Sequence, residues 1–356
     1  MKKILLLLLC GALLLSFVAC STGSGSDGPG GGSAGNGGSS AGATAGSSVE
    51  SMPEGLPDDP AYQVPVLDVG GYQISYGIYR HFYRLLAKQM MGTDTEYFVK
   101  NPEKLEELKK QTVEQCTITA SYFALAAKAG ITLPTEEEVE KSFAEYLSTY
   151  EDLYPMYYGV TLAEYMVNNA LTLTAYKTFY MIDNYLTSPI YTYVSDDKNG
   201  MVDLSNEALA EVMKDWRAVK HILVGYNDDL TEEEALALAT DLQKRILAGE
   251  DMDTLMKQYS NDYQTSGNNI YTFTYDQMVE EFEEMAFSME IGAVSEPVKS
   301  TYGYHVIMRL PIDEASFREN EFKDAAVNKA FFAFGSALTV TELDALGALT
   351  HEELMK

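Results

Sequence analysis

Apolar and polar positions along the chain predict a mainly helical N-terminal half and a mixed α/β stretch beyond it. Residues Val64 to Ile74 read as two short strands around a Gly70-Gly71 turn. Ser75 can cap the helix that follows, which carries Tyr79, Phe82, Tyr83, Leu86 and Met90 on one face. A long helix is predicted from about Pro102 to Ala129, with proline at its start and Gly130 past its end. Thr135 with Glu138, and Thr161 with Glu164, make capping boxes: the threonine oxygen satisfies an early helix N–H and the glutamate reaches back to the cap. The last segment, Phe317 to Lys356, also reads as helical. Val327, Ala330, Phe331 and Phe334 fall on one face and Phe322 falls off it. This segment is too short to fold alone, so it is expected to pack back on the N-terminal helices.

Between these parts, Arg217 to Ile312 reads as an α/β unit. Val219 to Val224 is a predicted strand. Thr231 and Glu234 cap a helix that buries Ala235, Leu238, Leu242 and Ile246 and closes at Gly249. Met252 to Tyr259 is a shorter helix, and Asp276 to Phe287 another, with Met278, Phe282 and Met285 at helical spacing. Val294 to Lys299 and Tyr304 to Leu310 are predicted strands.

The first residues change the picture of where the protein acts. Lys2 and Lys3 precede an apolar run, Ile4 to Val18, too short for a comfortable membrane span. The run ends in Phe17-Val18-Ala19-Cys20, which resembles a bacterial lipoprotein cleavage site with Cys20 as the lipidated residue. An ordinary secretory signal or a short anchor is the alternative. A Gly/Ser/Ala-rich tract follows to about Ser48, with no apolar residues able to build a core. The expected organisation is a signal over 1–20, a flexible tether over 21–55, a helical domain over 56–215, the α/β unit over 216–312 and a returning helical segment over 313–356. Cys10 lies in the signal and Cys20 would carry lipid, so Cys116 has no partner for an internal disulfide. The expected location is the extracytoplasmic face of a cell membrane, in a Gram-positive-type bacterium.

A formal net charge of −28 argues against binding nucleic acid or an anionic lipid surface by charge. It suits basic unfolded chains, or simply solubility. Tyr146, Tyr150, Tyr154, Tyr157, Tyr158, Tyr165, Tyr176, Tyr180 and Tyr185 could form an amphipathic surface for unfolded chains or pack between helices. Ser195 to Gly200 lacks the glutamate of a calcium loop, Asn206 standing in its place, and reads as a turn.

The candidate chemistry lies in the α/β unit. The chain has four histidines, and two of them, His221 and His305, fall in its first and last strands. Alone they carry no signature. Together with Val219-Lys220-His221-Ile222-Leu223-Val224, Tyr259-Ser260-Asn261-Asp262, Gln277-Met278-Val279-Glu280-Glu281-Phe282 and Ser300-Thr301-Tyr302-Gly303-Tyr304-His305-Val306-Ile307, in this order, they resemble the parvulin family of peptidyl-prolyl isomerases. The resemblance implies a four-stranded, mostly antiparallel sheet with surrounding helices, and the first and last strands side by side at its centre. It implies a catalytic set of His221, His305, Asp262 (the acidic or thiol position) and Ser300 (the hydroxyl position). Proline would bind at Met278, Phe282 and Ile270.

Two departures stand out. Parvulins usually carry Gly-Gly-Asp-Leu-Gly-x-Phe where this chain has Gly267-Asn268-Asn269-Ile270-Tyr271-Thr272-Phe273. The loop Gly225-Tyr226-Asn227-Asp228-Asp229 has no cation of the kind that phosphate-directed parvulins place there, so a phosphorylated substrate would be repelled.

The whole layout resembles a PrsA-type or SurA-type foldase, an α+β protein with a mainly helical chaperone domain. The resemblance implies an isomerase acting on X–Pro bonds of unfolded or partly folded secreted proteins, without cofactor or metal. A zinc site from His221, His305 and Asp262 is the rival for the same residues, and no close-spaced ligand pair supports it. A holdase with a weakly active parvulin fold is a further alternative. A solute-binding lipoprotein would need a doubly wound α/β body, which the helical N-terminal half argues against. A homodimer is compatible with the sequence.

Overall fold

Ser75 begins the first helix, Tyr76–Met91, by accepting the N–H of Ile78, and the helix buries Tyr79, Phe82, Tyr83 and Leu86. This is a computed structural model that describes residues 60–151, 153–226, 230–267 and 269–356. The leader, the tether and Cys20 lie outside the described residues. Among these residues the chain divides into two compact units, one of 60–201 with 328–356 and one of 202–327.

The first unit opens with β1 (Pro65–Val69) and β2 (Tyr72–Ser75), antiparallel around Gly70 and Gly71, both at positive φ. The long helix is Lys104–Ala129, stopped by Gly130 in the left-handed conformation. Both expected capping boxes form, at Thr135–Glu138 and Thr161–Glu164. The C-terminal segment is not wholly helical: Val340–Glu342 is a strand that pairs antiparallel with β1. Its pairing groups satisfy the free edge of β1, a long-range demand that helical periodicity does not register. Tyr154, Tyr176 and Tyr180 are buried, and the Tyr176 hydroxyl meets those of Tyr154 and Tyr146 at 3.0 and 3.2 Å. Those tyrosines pack between helices, while Tyr157 is exposed.

The second unit is built on one sheet. Its strands are β3 (Arg217–Val224), β4 (Tyr271–Phe273), β5 (Val298–Ser300) and β6 (Gly303–Leu310), in the order β4-β3-β6-β5, all neighbours antiparallel. Alternation along β3 and β6 divides two apolar layers. Ile222, Val224, Tyr304 and Val306 pack with Ala235, Leu242 and Leu255 from the helices Glu232–Leu247 and Met252–Tyr259. Val219 and Ile307 pack on the other side with Phe273, Phe282, Ala286 and Val298. The protein's one tryptophan, Trp216, is buried against Phe317 in a satellite cluster with Leu209, Val212 and Phe322. Phe322 falls off the later helical face because it serves this cluster, whereas Phe331 packs on Tyr122 in the first unit.

Two elements are shorter than their periodicity predicts. The helix carrying Phe282 starts at Glu280 rather than Asp276, which sits at φ 64°, so Met278 lies in the preceding turn. The strand predicted from Val294 is reduced to β5, with an isolated bridge from Val294 to Met308. Pro297 has no N–H to donate, and Ser295 bonds Ile307 partly through its side chain.

Candidate active site

Side chains at His221 on β3 and His305 on β6 emerge on the same face as Phe282. The register places His221 opposite Ile307 and His305 opposite Leu223, so the histidines are diagonal neighbours, within aromatic reach. Their Nδ1 atoms are 3.3 Å apart and their rings lie at 27°. Both are buried.

Asp262 arrives on the short helix Asn261–Ser266, which the periodicity did not predict. Ser260 ties that helix down: its Oγ caps Tyr263 N–H and accepts the N–H of Leu223 at 3.1 Å. Asn261 Oδ1 accepts Gly225 N–H at 2.8 Å. Pinned to the end of β3, the helix sets Asp262 Oδ2 3.0 Å from His221 Nε2. Ser300 closes the other end, with Oγ 2.7 Å from His305 Nε2 and accepting Tyr302 N–H at 3.1 Å. That turn is made by Gly303 at φ 142°, where a Cβ would stand 2.3 Å from the carbonyl oxygen of Val224.

Phe282 caps the pair, its ring edge-on to His221 (5.0 Å, 78°) and to His305 (5.2 Å, 72°). Met278 packs half-buried against the Phe282 cluster. Ile270, the residue before β4, is 44% exposed. The structure thus brings His221, His305, Asp262, Ser300, Phe282 and Met278 together and leaves Ile270 at the surface. Tyr271 was not singled out by sequence. Its hydroxyl donates to Asp262 Oδ2 at 2.5 Å and its ring meets His221 edge-on at 5.1 Å. The available signal was its position, a tyrosine where the family's motif has glycine.

Electrostatics orders the protons. Hydrogen bonding from His221, then from Tyr271, against the opposing effect of burial, holds the Asp262 carboxyl below its usual range. Burial, with the neighbouring His221 ring, pushes His305 down to about 3, so it is neutral at ordinary pH. With one proton on each ring, a single arrangement fits the partners. Asp262 Oδ2 accepts from both Tyr271 O–H and His221 Nε2–H. His221 Nδ1 accepts from His305 Nδ1–H, and His305 Nε2 accepts from Ser300 O–H. Among the described residues, no group of three or more His, Cys, Asp or Glu side chains is placed to hold a metal ion.

Residues 221–310, bounded by the first histidine and the end of β6, match the family described as "Rotamase: PPIC-type PPIASE domain". This segment is a parvulin-type peptidyl-prolyl isomerase domain. Beyond the domain, the chain is 27% identical over 262 residues to "Foldase protein PrsA" of Caldanaerobacter subterraneus subsp. tengcongensis, covering 70% of this chain and 74% of the relative. It is 42% identical over 115 residues to "Foldase protein PrsA" of Halalkalibacterium halodurans, covering 32% of this chain and 30% of that relative. Among solved structures, the crystal structure of PrsA from Bacillus subtilis is similar at 19% identity and a TM-score of 0.27, covering 78% of this chain and 93% of the other. In the parvulin-type domain the two central strands carry the histidine pair, and the helix starting at Glu280 carries Phe282.

Proposed function

We propose that this protein is an extracytoplasmic foldase that accelerates cis–trans exchange of X–Pro bonds in secreted proteins as they fold, held at the membrane by a lipid on Cys20. The observation that carries the isomerase reading is the hydrogen-bonded run from Asp262 through His221 and His305 to Ser300, lying under Phe282.

Rotation about an X–Pro bond must break amide resonance, at a barrier of about 18–20 kcal/mol. No covalent step is required. Phe282 and Met278 offer an apolar seat for the proline ring, where water is excluded. As the bond twists, the carbonyl loses its share of the nitrogen lone pair and charge relocates along the C–N unit. A polar network whose protons are already ordered stabilises that redistribution without reorganising. The acidic Gly225–Asp229 run supports a preference for unphosphorylated substrates. Lys2, Lys3 and the run to Cys20 support membrane attachment, and the Gly/Ser-rich tract supports a tethered body.

Exchange measured by NMR on a short proline peptide tests the enzyme reading. Acceleration by the wild-type protein is expected; no acceleration, combined with suppression of aggregation of an unfolded client, would favour the holdase alternative that the altered Gly267–Phe273 run motivates. Detergent phase partitioning of wild type and Cys20→Ala, expressed in a Gram-positive host, tests the anchor.

A further inference from the structure

The family's motif has glycine at the position of Tyr271, where no side chain can reach the site. Here the tyrosine begins β4, and pairing of Val219 with Tyr271 fixes it beside β3, two residues before His221. Its hydroxyl is 2.5 Å from Asp262 Oδ2, the same oxygen that His221 Nε2 reaches at 3.0 Å. Ser266 lies beside both groups: its Oγ is 3.1 Å from the Tyr271 hydroxyl and 3.0 Å from the Asp262 carbonyl oxygen, and its single proton serves one of the two at a time. The Tyr271 ring then packs edge-on against the His221 imidazole. One side chain therefore touches both members of the Asp262–His221 pair, through a hydroxyl on one and a ring edge on the other.

We infer that Tyr271 is a positioning residue for prolyl exchange, aiming the Asp262 carboxylate at His221 Nε2 and holding the imidazole plane through which His221 meets His305. The inference rests on the isomerase reading above and gives the departing Gly267–Phe273 run a role in the site. A carboxylate with one fixed oxygen can rotate; sharing that oxygen with a second donor from a different strand stops it. The two donors also divide its acceptor strength, so Tyr271 moderates how strongly Asp262 holds the His221 proton. The titratable groups in contact with His221 are Asp262 and His305, with Tyr271 the third.

Tyr271→Phe keeps the ring and removes the hydroxyl, and the four histidines make the test readable. In the full chain with 15N-labelled histidine rings, the expected result is a displaced His221 Nε2–H signal, because Asp262 Oδ2 then accepts from that donor without sharing with Tyr271. The His81 and His351 signals, in the other compact unit, should stay in place, and unchanged Trp216 fluorescence should report that the unit holding the site is folded. Loss of one charge-assisted hydrogen bond should lower kcat/KM about threefold to tenfold. Ser266→Ala, which removes only the neighbouring hydroxyl, should give a smaller change of the same sign and serves as the second variant if Tyr271→Phe does not fold. An unmoved His221 Nε2–H signal with kcat/KM within about twofold of wild type would overturn the inference. If the wild type itself does not accelerate exchange, the isomerase reading fails, and the histidine signals alone still decide whether Tyr271 holds the Asp262–His221 pair.

Discussion

His221 and His305 bring their Nδ1 atoms to 3.3 Å although neither stands opposite the other in the strand register. The diagonal contact makes the pair a unit, because each ring satisfies a nitrogen that the other would leave without a partner in a buried place. His305→Ala should cost about 1–3 kcal/mol of stability through the orphaned Ser300 and His221 groups. Fluorescence of Trp216, the sole tryptophan, reports that unit during urea unfolding. His221→Ala, His305→Ala and the double variant should lower kcat/KM by similar factors, since residues that act together are not additive. Multiplied losses in the double variant would show that the two act separately.

The unit holding the site should weaken in mild acid. His305 titrates at about 3 when folded, against 6.5 for an ordinary histidine. Its folded value is depressed, so this contribution to stability is fully present above pH 6.5 and is lost as pH falls toward 3, because only the unfolded chain takes up the proton. The slope should approach about 1.4 kcal/mol per pH unit in that window. Asp262, also depressed when folded, acts in the same direction at the lower end. Urea midpoints followed through Trp216 at pH 7, 6, 5 and 4 check this, and His305→Gln should flatten the dependence.

Phe282 and Met278 should separate pocket from core. Phe282 is buried among Val219, Phe273, Ala286, Val298 and Ile307 as well as touching both histidines. Phe282→Ala should therefore cost about 3–5 kcal/mol along with activity. Met278, half-buried in a turn, should cost about 1 kcal/mol or less on change to alanine while raising KM for proline peptides. Thermal melts beside peptide kinetics distinguish the two.

Gly303→Ala is expected to be among the most damaging single changes. The position is held at φ 142°, and the added Cβ would meet Val224 O at 2.3 Å and Gly225 Cα at 2.7 Å, both backbone atoms that cannot swing aside. Strain of this kind should cost about 3 kcal/mol or more. It should also displace Ser300 from His305, since the glycine pairs with Ser300 across the turn. A fall in melting temperature with loss of exchange catalysis is the expected reading.

Local rules made much of the framework legible. Capping by Ser75, Thr161 and Thr231 depends on residues three apart, and each helix begins where its cap stands. The central strands β3 and β6 appear in the sequence as β-branched apolar runs. Errors came where a backbone detail overrode the period: Asp276 at positive φ delays the Phe282 helix, and Pro297 shortens β5. Val340–Glu342 became a strand only because a distant edge on β1 was open to it.

The site divides along the same line. The amino-acid order is sufficient to mark His221, Asp262, Ser300, His305, Met278 and Phe282 as a parvulin-like set, because those residues recur in a fixed succession of motifs. It does not tell that Tyr271 joins them, since that follows from how β4 is placed against β3 and how the Asn261–Ser266 helix is tied to its end. Helix caps and strand periods are encoded between near neighbours. The meeting of two histidines 84 positions apart, and of the Tyr271 hydroxyl with the Asp262 carboxylate at one end of their run, arises only when non-local strand pairing and side-chain packing choose one register.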